Sequence, residues 1–535
     1  MRVTPLPETR PPWDAAWFPR DLYETRKRLR ERVIARIDAN GAIRDPCRSR
    51  VLESALGLRA VQRVGGRPQA EQRLIGFLKT QRDAADPLDR LLARTAIDES
   101  TAPDTAAFER VLDRVPGFTG ARKRTTLTAI LRMLGVTDGA RGDAFDPEPE
   151  RQGLHPWALA QSTADRVVLA ATDGRSEQIT AADIAILDAT QRSGDVWESN
   201  LLVHLCVVHA LSLLPGTYDT VTKGVDKALM YQRPDGGLPF VSDIDTWCTA
   251  TGAVALACTG TPQNVLHRLA EHLTAQQHAD GGWSFSDRVE LCDTDDVSVA
   301  LEFLGQLDPV LYRGTIDKGL RWLRRVQGPD GGFPTYPGAP SEPCMTIAAV
   351  NALTHQPVTH GAATHRAVQY VASRQQAAGT FPPDWSASRY HTLFRAVLAG
   401  TNPALAPVSS AGQLAARALD AVQAGQNPDG GWGQQSGMPS DPISTAYALT
   451  ALTRQDDPTQ AIEGLRYLLS ACADDSAVVM VPDSIGPRPF IFTVPALADI
   501  FMLLALGHVT AACAMPVDRD PVYIPAQARP HVSAA

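Results

Sequence analysis

Three things are missing from this 535-residue chain: a CxxC pair, a long apolar run free of charge, and any excess of positive charge. The amino terminus, MRVTPLPETRPPWDAAWFPRDLYETRKRLRERV, has no apolar core of the signal-peptide kind, and no run of about 18 uncharged apolar residues marks a membrane span. A formal net charge of −8 argues against a surface built for nucleic acid, although a local basic patch that holds a small anion is compatible with it. The eight cysteines show no zinc-ligand spacing and read as reduced, buried small hydrophobes, which fits a cytoplasmic protein. Aromatic residues make up only 6% of the chain. The length is enough for more than one domain and for a core that encloses a cavity.

One pattern recurs: Gln, three residues, Gly, one residue, then an aromatic residue or Leu. It appears as QRPDGGL from Gln232, QHADGGW from Gln277, QGPDGGF from Gln327, QQAAGTF from Gln375 and QNPDGGW from Gln426. Successive starts lie 45, 50, 48 and 51 residues apart, and QRSGDVW from Gln191 resembles a degenerate sixth copy. Between copies the apolar spacing predicts two helices per unit, the first apolar on nearly all sides and the second charged on one face. Hairpins of this kind, closed into a ring, give a toroid with an inner and an outer helical layer. The Pro-Asp-Gly-Gly punctuation lets the chain turn sharply after each outer helix, and the Gln and the aromatic residue are expected to tie that turn to the next helix. Residues 41–189 are also helix-rich, without clean copies of the repeat, and include a polar loop at 135–153.

The stretch LCDTDDVSVALEFL, 291–304, crowds Asp293, Asp295 and Asp296 at the mouth of an apolar helix. Helix capping accounts for one carboxylate there. Crowding and burial both favour the protonated form, whereas the helix N-terminus opposes it. A carboxyl that keeps its proton beside an apolar cavity is an acid able to protonate a base as weak as an alkene. Asp243 and Asp245, in VSDIDTWCTA, hold the same place one repeat earlier and read as helix caps.

Repeat and acidic tetrad together resemble the class II terpene cyclases, the group of squalene-hopene cyclases and copalyl diphosphate synthases, with the Gln-Gly-aromatic copies similar to that family's QW motifs and DTDD to its D-x-D-D motif. The segments SEPCMTIAAVNAL, WSASRYHTLFRA and GPRPFIFTVPALADIFMLLALGH are similar to the bacterial branch that cyclises prenyl diphosphates. The resemblance implies an all-α protein of two α/α barrels with the active site between them. Residues 1–40 and 190–535 would form the toroid, and 41–189 an inserted helical barrel. It implies Asp295 as general acid, Asp293 and Asp296 as its tuning partners, and Asn351 as the amide hydrogen-bonded to it. Trp385 and Tyr390 match an aromatic segment of the family and would face the migrating cation. Arg122 and Lys123, with Arg124, in GARKRTTL open a helix where an anion is favoured, and would hold the diphosphate; a solvated basic turn is the alternative.

No convincing DDxxD or N/D-x-x-S/T-x-x-x-E set occurs, so the diphosphate is expected to survive into the product, of copalyl type from C20 or drimenyl type from C15. Mg2+ is expected as cofactor by the same resemblance; Asp98 and Glu99 in AIDEST are carboxylates without a ligand spacing. A squalene cyclase, a protein prenyltransferase β-like subunit and a non-catalytic toroid are the competing readings. The prenyltransferase reading requires an Asp/Cys/His zinc set that is not evident in the sequence.

Overall fold

A computed structural model describes residues 13–97, 120–135, 153–355, 357–473, 481–486 and 490–513, and among them helices dominate. In chain order they are α1 (Leu22–Ala35), α2 (Val51–Val64), α3 (Pro68–Gln81), α4 (Pro87–Ala96), α5 (Gly120–Met133), α6 (Pro156–Thr172), α7 (Ala181–Thr190), α8 (Leu201–Leu211), α9 (Tyr218–Leu229) and α10 (Asp245–Ala257). There follow α11 (Gln263–Ala275), α12 (Thr294–Leu307), α13 (Arg313–Val326), α14 (Pro343–Leu353), α15 (Pro357–Arg374), α16 (Tyr390–Gly400), α17 (Ser409–Ala424), α18 (Pro442–Leu452), α19 (Thr459–Ala471) and α20 (Pro495–Ala512). Two antiparallel pairs of two-residue strands, Ser49–Arg50 with Leu238–Pro239 and Ser484–Ile485 with Ile491–Phe492, are the only sheets among the described residues.

Helices α10, α12, α14, α16, α18 and α20 pack each on the next, and α20 returns to α10, closing a ring. Their sequences explain the position: α14, α18 and α20 are predominantly apolar all round, and nearly every residue in them is buried. Helices α11, α13, α15, α17 and α19 form the outer layer, each with one apolar stripe against the ring. The basic helix α1 also lies on the outside, against α20. Arg26 and Arg30 on it are buried, and Arg30 donates to the Thr259 carbonyl at 3.0 Å. Helix α20 is the one described helix long and apolar enough to cross a membrane, with mean hydropathy 1.6, and 89% of that stretch is buried inside the protein.

The five Gln-Gly turns act as clasps, four of them identical. In those four, the Gln amide donates to the Gly carbonyl of its own turn and to a backbone carbonyl of the next outer helix: Gln277 to Gly281 (3.0 Å) and Thr315 (2.9 Å), Gln327 to Gly331 and Ala363 (both 2.9 Å), Gln426 to Gly430 (2.9 Å) and Gln460 (3.0 Å). Gln375 does the same with Gly379 and Leu414, whereas Gln232 bonds its own Gly236 and the Ala70 carbonyl of α3. Trp283 and Trp432, fully buried, add an indole N–H bond to the outer helix that precedes the turn. Gln191 makes no such clasp; its amide reaches only Thr190 and His204.

A second group, α2 to α9, packs on itself, α2 against α3, α4, α8 and α9, and α6 against α5, α7 and α8. Helices α8 and α9, although beyond residue 190, also pack against this group, the apolar α8 burying its length between α2 and α6. The loop at 136–152, and Asp98 and Glu99, lie outside the described residues.

Gly430 has φ of +85°, and a Cβ there would sit 2.7 Å from the Glu463 carbonyl oxygen. Gly430→Ala is expected to destabilise the protein by about 1–3 kcal/mol, read as a lower urea midpoint at unchanged slope.

Candidate active site

Between the two helical groups lies a cavity of about 680 Å³, within the range of small-molecule sites. One wall comes from the first group, with Arg122 and Lys123 in the first turn of α5 and His155 and Trp157 at the start of α6. The other comes from the ring, where the N-terminal ends of α10, α12, α14 and α16 converge on the chamber through Trp247, Asp293, Asp295, Asp296, Glu342, Met345 and His391. Phe285, Tyr336, Trp385 and Tyr447 complete an aromatic lining. Tyr336 meets Trp157 at a ring separation of 5.2 Å and Trp385 at 6.4 Å, and Trp157 meets Phe285 edge-on at 5.5 Å.

The tetrad is locked in place at both ends. Thr294 donates its backbone N–H to the Thr335 carbonyl at 2.9 Å and its hydroxyl to the Pro334 carbonyl at 2.6 Å. Upstream, Glu198 accepts from the Trp157 indole (3.0 Å) and from the N–H groups of Glu290 (3.1 Å) and Leu291 (3.3 Å), joining the loop before Asp293 to the opposite wall. Glu198 and Ser199 have φ of 54° and 53°, the only positive values at described non-glycine residues, so backbone strain is held at this junction.

The three carboxyls have different jobs. Asp293 is the N-cap of α12 and accepts the Asp296 N–H at 2.9 Å, as capping predicts. Burial pushes its carboxyl up to about 7, against the hydrogen bonds it accepts from Asp296. Asp296, with Oδ1 buried and unpartnered, is pushed well above the usual carboxylate range by burial and then by Asp293 beside it. Asp295 is the most exposed of the three to the chamber, and its Oδ1 accepts from Arg395 Nη1 at 2.7 Å. Arg395, on α16, is fully buried, and its guanidinium lies 5.8 Å from the Trp247 ring centre. The proton-holding carboxyls are thus Asp293 and Asp296, while Asp295 faces the chamber with a counter-charge behind it.

Of the other sequence-derived residues, Arg122, Lys123 and Trp385 line the cavity, with the Trp385 indole bonded to Thr335 Oγ1 at 2.9 Å. Two do not. Asn351 lies eight residues beyond the start of α14, about 12 Å down the helix at 1.5 Å per residue, and its amide nitrogen is buried with no partner. It is not the residue bonded to Asp295; Arg395 is. Tyr390 turns outward, its hydroxyl 3.5 Å from the Gly425 carbonyl, and the next residue, His391, takes the chamber side because adjacent helix positions differ by about 100°. Asp245 pairs with Arg44 (3.3 Å), outside the cavity. All eight cysteines are free and buried.

An Asp/Cys/His group does exist, contrary to the sequence reading, because the fold brings Cys344, Asp384 and His391 within 4.8 Å of one another. Their irregular spacing hides them in the sequence. A metal fits poorly there. Asp384 already accepts from the Ser386 N–H (2.7 Å) and the Thr392 hydroxyl, and Arg395 Nη1 stands 3.7 Å from Cys344 Sγ. Sulfur and nitrogen donors are in any case wrong for Mg2+, and the described residues gather no comparable set of hard oxygen ligands for it.

Residues 189–383 and 397–481 match the prenyltransferase alpha-alpha toroid domain. A drimenyl diphosphate synthase of Streptantibioticus cattleyicolor is 35% identical over 515 residues, 92% of this chain and 95% of that protein, and one of Streptomyces showdoensis is 35% identical over 511 residues, with the same coverage. The ent-copalyl diphosphate synthase structure from Streptomyces platensis superposes with a TM-score of 0.57 at 18% identity, covering 92% of this chain and 99% of that one, a likeness of fold. On this similarity the chain belongs to the class II terpene cyclases, enzymes that start cyclisation by protonation. Its activity is that of a class II cyclase acting on a prenyl diphosphate.

The unfolded chain loses its carboxyl protons near pH 4, whereas Asp293 keeps its proton to about pH 7 and Asp296 is also pushed up by burial, so across that window the folded state binds more protons and stability falls as pH rises. Asp293→Asn keeps the cap and is expected to flatten the fall between about pH 5 and about pH 8, read from urea midpoints.

Proposed function

We propose that the enzyme converts a linear C15 prenyl diphosphate to a bicyclic drimenyl-type diphosphate, with Asp295 delivering the initiating proton. The observation that carries this is the carboxyl cluster of Asp293, Asp295 and Asp296, set in the wall of an aromatic-lined chamber. The 35% identity to two drimenyl diphosphate synthases favours C15 over C20; a copalyl-type product from C20 is the second reading, and a squalene cyclase is disfavoured by the basic pair on the facing wall.

In this reading Asp296 and Asp293 hold the protons and Asp295 spends one on the terminal alkene. A carboxyl becomes a stronger acid when its conjugate base is stabilised, and Arg395 at 2.7 Å supplies that stabilisation for Asp295. The tertiary cation that forms is attacked by the internal alkenes in turn. Ring faces of Trp247, Phe285, Tyr336 and Trp385 offer about 0.5–2 kcal/mol each to the moving charge, and the chamber keeps water from it. Arg122 and Lys123, at the first turn of α5, would hold the diphosphate, which is neither ionised nor lost. Mg2+ would arrive bound to that diphosphate and neutralise part of its charge; chelation by EDTA tests this.

Purified protein incubated separately with C15 and C20 prenyl diphosphates and squalene, then treated with phosphatase before mass analysis, is expected to give a bicyclic C15 alcohol only after phosphatase. Squalene cyclisation, or a hydrocarbon without phosphatase, overturns the proposal. Asp295→Asn is expected to lower turnover by at least about 1,000-fold, and full turnover would remove Asp295 from the chemistry. Arg395→Gln is expected to lower kcat more than it raises KM, since the guanidinium acts on the carboxylate formed in the transition state rather than on substrate.

A further inference from the structure

We propose that His391, oriented by Asp384, is the base that ends the reaction by removing a proton from the last carbocation, leaving an alkene. This inference rests on the function proposed above. His391 is the second residue of α16, is 4% exposed, and lines the cavity. Its Nδ1 lies 3.4 Å from Asp384 Oδ2 and 3.5 Å from Cys344 Sγ, so this nitrogen is engaged within the protein wall and Nε2 is left to the chamber. A carboxylate at Nδ1 fixes the tautomer that presents a lone pair at Nε2 and stabilises the imidazolium formed when Nε2 takes a proton.

Asp384 is built for that task. It is buried, its Oδ1 accepts the Ser386 N–H at 2.7 Å, and its Oδ2 accepts the Thr392 hydroxyl. Burial alone would push its carboxyl up, but His391 when it carries a proton, together with the hydroxyl and N–H donors, outweighs burial and holds it at about 2. The rings of Tyr447 and Phe394 stand 5.2 and 5.8 Å from the imidazole, and Phe501 packs edge-on to Tyr447 at 4.8 Å. The base thus sits in a wall that excludes competing water.

Acid and base must share the chamber without touching, or the proton would pass directly between them. Cys344 and Arg395 stand between them: Arg395 Nη1 bonds Asp295 at 2.7 Å and lies 3.7 Å from Cys344 Sγ, which in turn meets His391. A guanidinium has no acceptor and does not deprotonate in proteins, so it insulates the two ends. The other cavity groups suit the role less well. His155 has Nδ1 buried without a partner, and burial with Arg122 nearby lowers its pKa to about 4, so nothing there stabilises a captured proton. Asp483 has both oxygens engaged, by the Ser386 hydroxyl (2.7 Å) and by Tyr447 (3.1 Å).

The step balances as follows. A C–H bond next to the cationic carbon breaks, its electron pair becomes the second bond of the alkene, and the proton ends on Nε2, to be released to solvent. Asp295 gave up one proton at the start, so substrate and product are isomers.

The test compares wild type, His391→Gln and Asp384→Asn, each checked for folding by circular dichroism, on the C15 and C20 diphosphates with full product analysis. Both variants are expected to go on consuming substrate while the share of the wild-type alkene drops at least ten-fold in favour of a hydroxylated product or isomeric alkenes. An unchanged product spectrum in either folded variant overturns the dyad and leaves the proposed function standing. Loss of all substrate consumption by folded variants moves the dyad to the protonation step and also overturns the proposal. Wild type that forms no cyclic diphosphate from either substrate overturns the proposed function and the dyad with it.

Discussion

The chemistry of this protein depends on keeping ionisable oxygen in a place without water. Burying a carboxylate alone is expensive, and the usual outcome is that the group takes up a proton instead. Here both solutions are used side by side within four residues. Asp293 and Asp296 respond to burial by holding protons, and Asp295 is matched with a guanidinium that is itself fully buried. Each arrangement alone has a weakness: protonated carboxyls without a counter-charge are weak acids, and an ion pair without a proton source has nothing to deliver. Adjacent in one helical turn, they combine a store of protons with a carboxyl whose anion is stabilised.

The ring of hairpins makes that arrangement possible by geometry. Four inner helices present their N-terminal ends to the chamber, and each end carries unpaired N–H groups with a partial positive charge. A chamber walled only by such ends would repel a carbocation. Asp293 at α12 and Glu342 at α14 place carboxyl groups at the N-cap of two of those ends, where they offset part of the helix charge. The outer clasps matter for the same reason. Gln277, Gln327 and Gln426 bridge each turn to the next outer helix through two carbonyls, which fixes the axial height of successive hairpins and so the level at which the helix ends meet.

What could be read from the sequence was what is local. The repeat motif is contained in seven residues, and the tetrad in four, so spacing alone revealed both. Arg395 was visible in principle as the one charged residue in the apolar run YHTLFRAVLAG, because a buried arginine needs an anion, but its partner lies 100 residues away. Asn351 and Tyr390 failed for a geometric reason. Motif similarity located the right helices, α14 and α16, but not the depth along the first or the face of the second. The Cys344, Asp384 and His391 group had no sequence signal at all, since it joins two helix starts and a loop.

The contrast between Arg395 and the amide expected in its place bears on how the reaction is driven. An amide orients a carboxyl proton without changing the charge of the site, so acid strength must come from elsewhere. A guanidinium 2.7 Å from the carboxylate stabilises the anion left after proton transfer, and in a chamber of low polarity that stabilisation is larger than in water. The same charge, fixed and always present, opposes the neighbouring cation at the moment it forms. The two effects are reconciled by the position of Asp295, which stands between the guanidinium and the chamber and becomes negative as the substrate becomes positive. In the proposed reaction, delivery of a proton through Asp295 therefore leaves a carboxylate flanked by two cations, an arrangement that neither the amide nor an unpaired aspartate would provide.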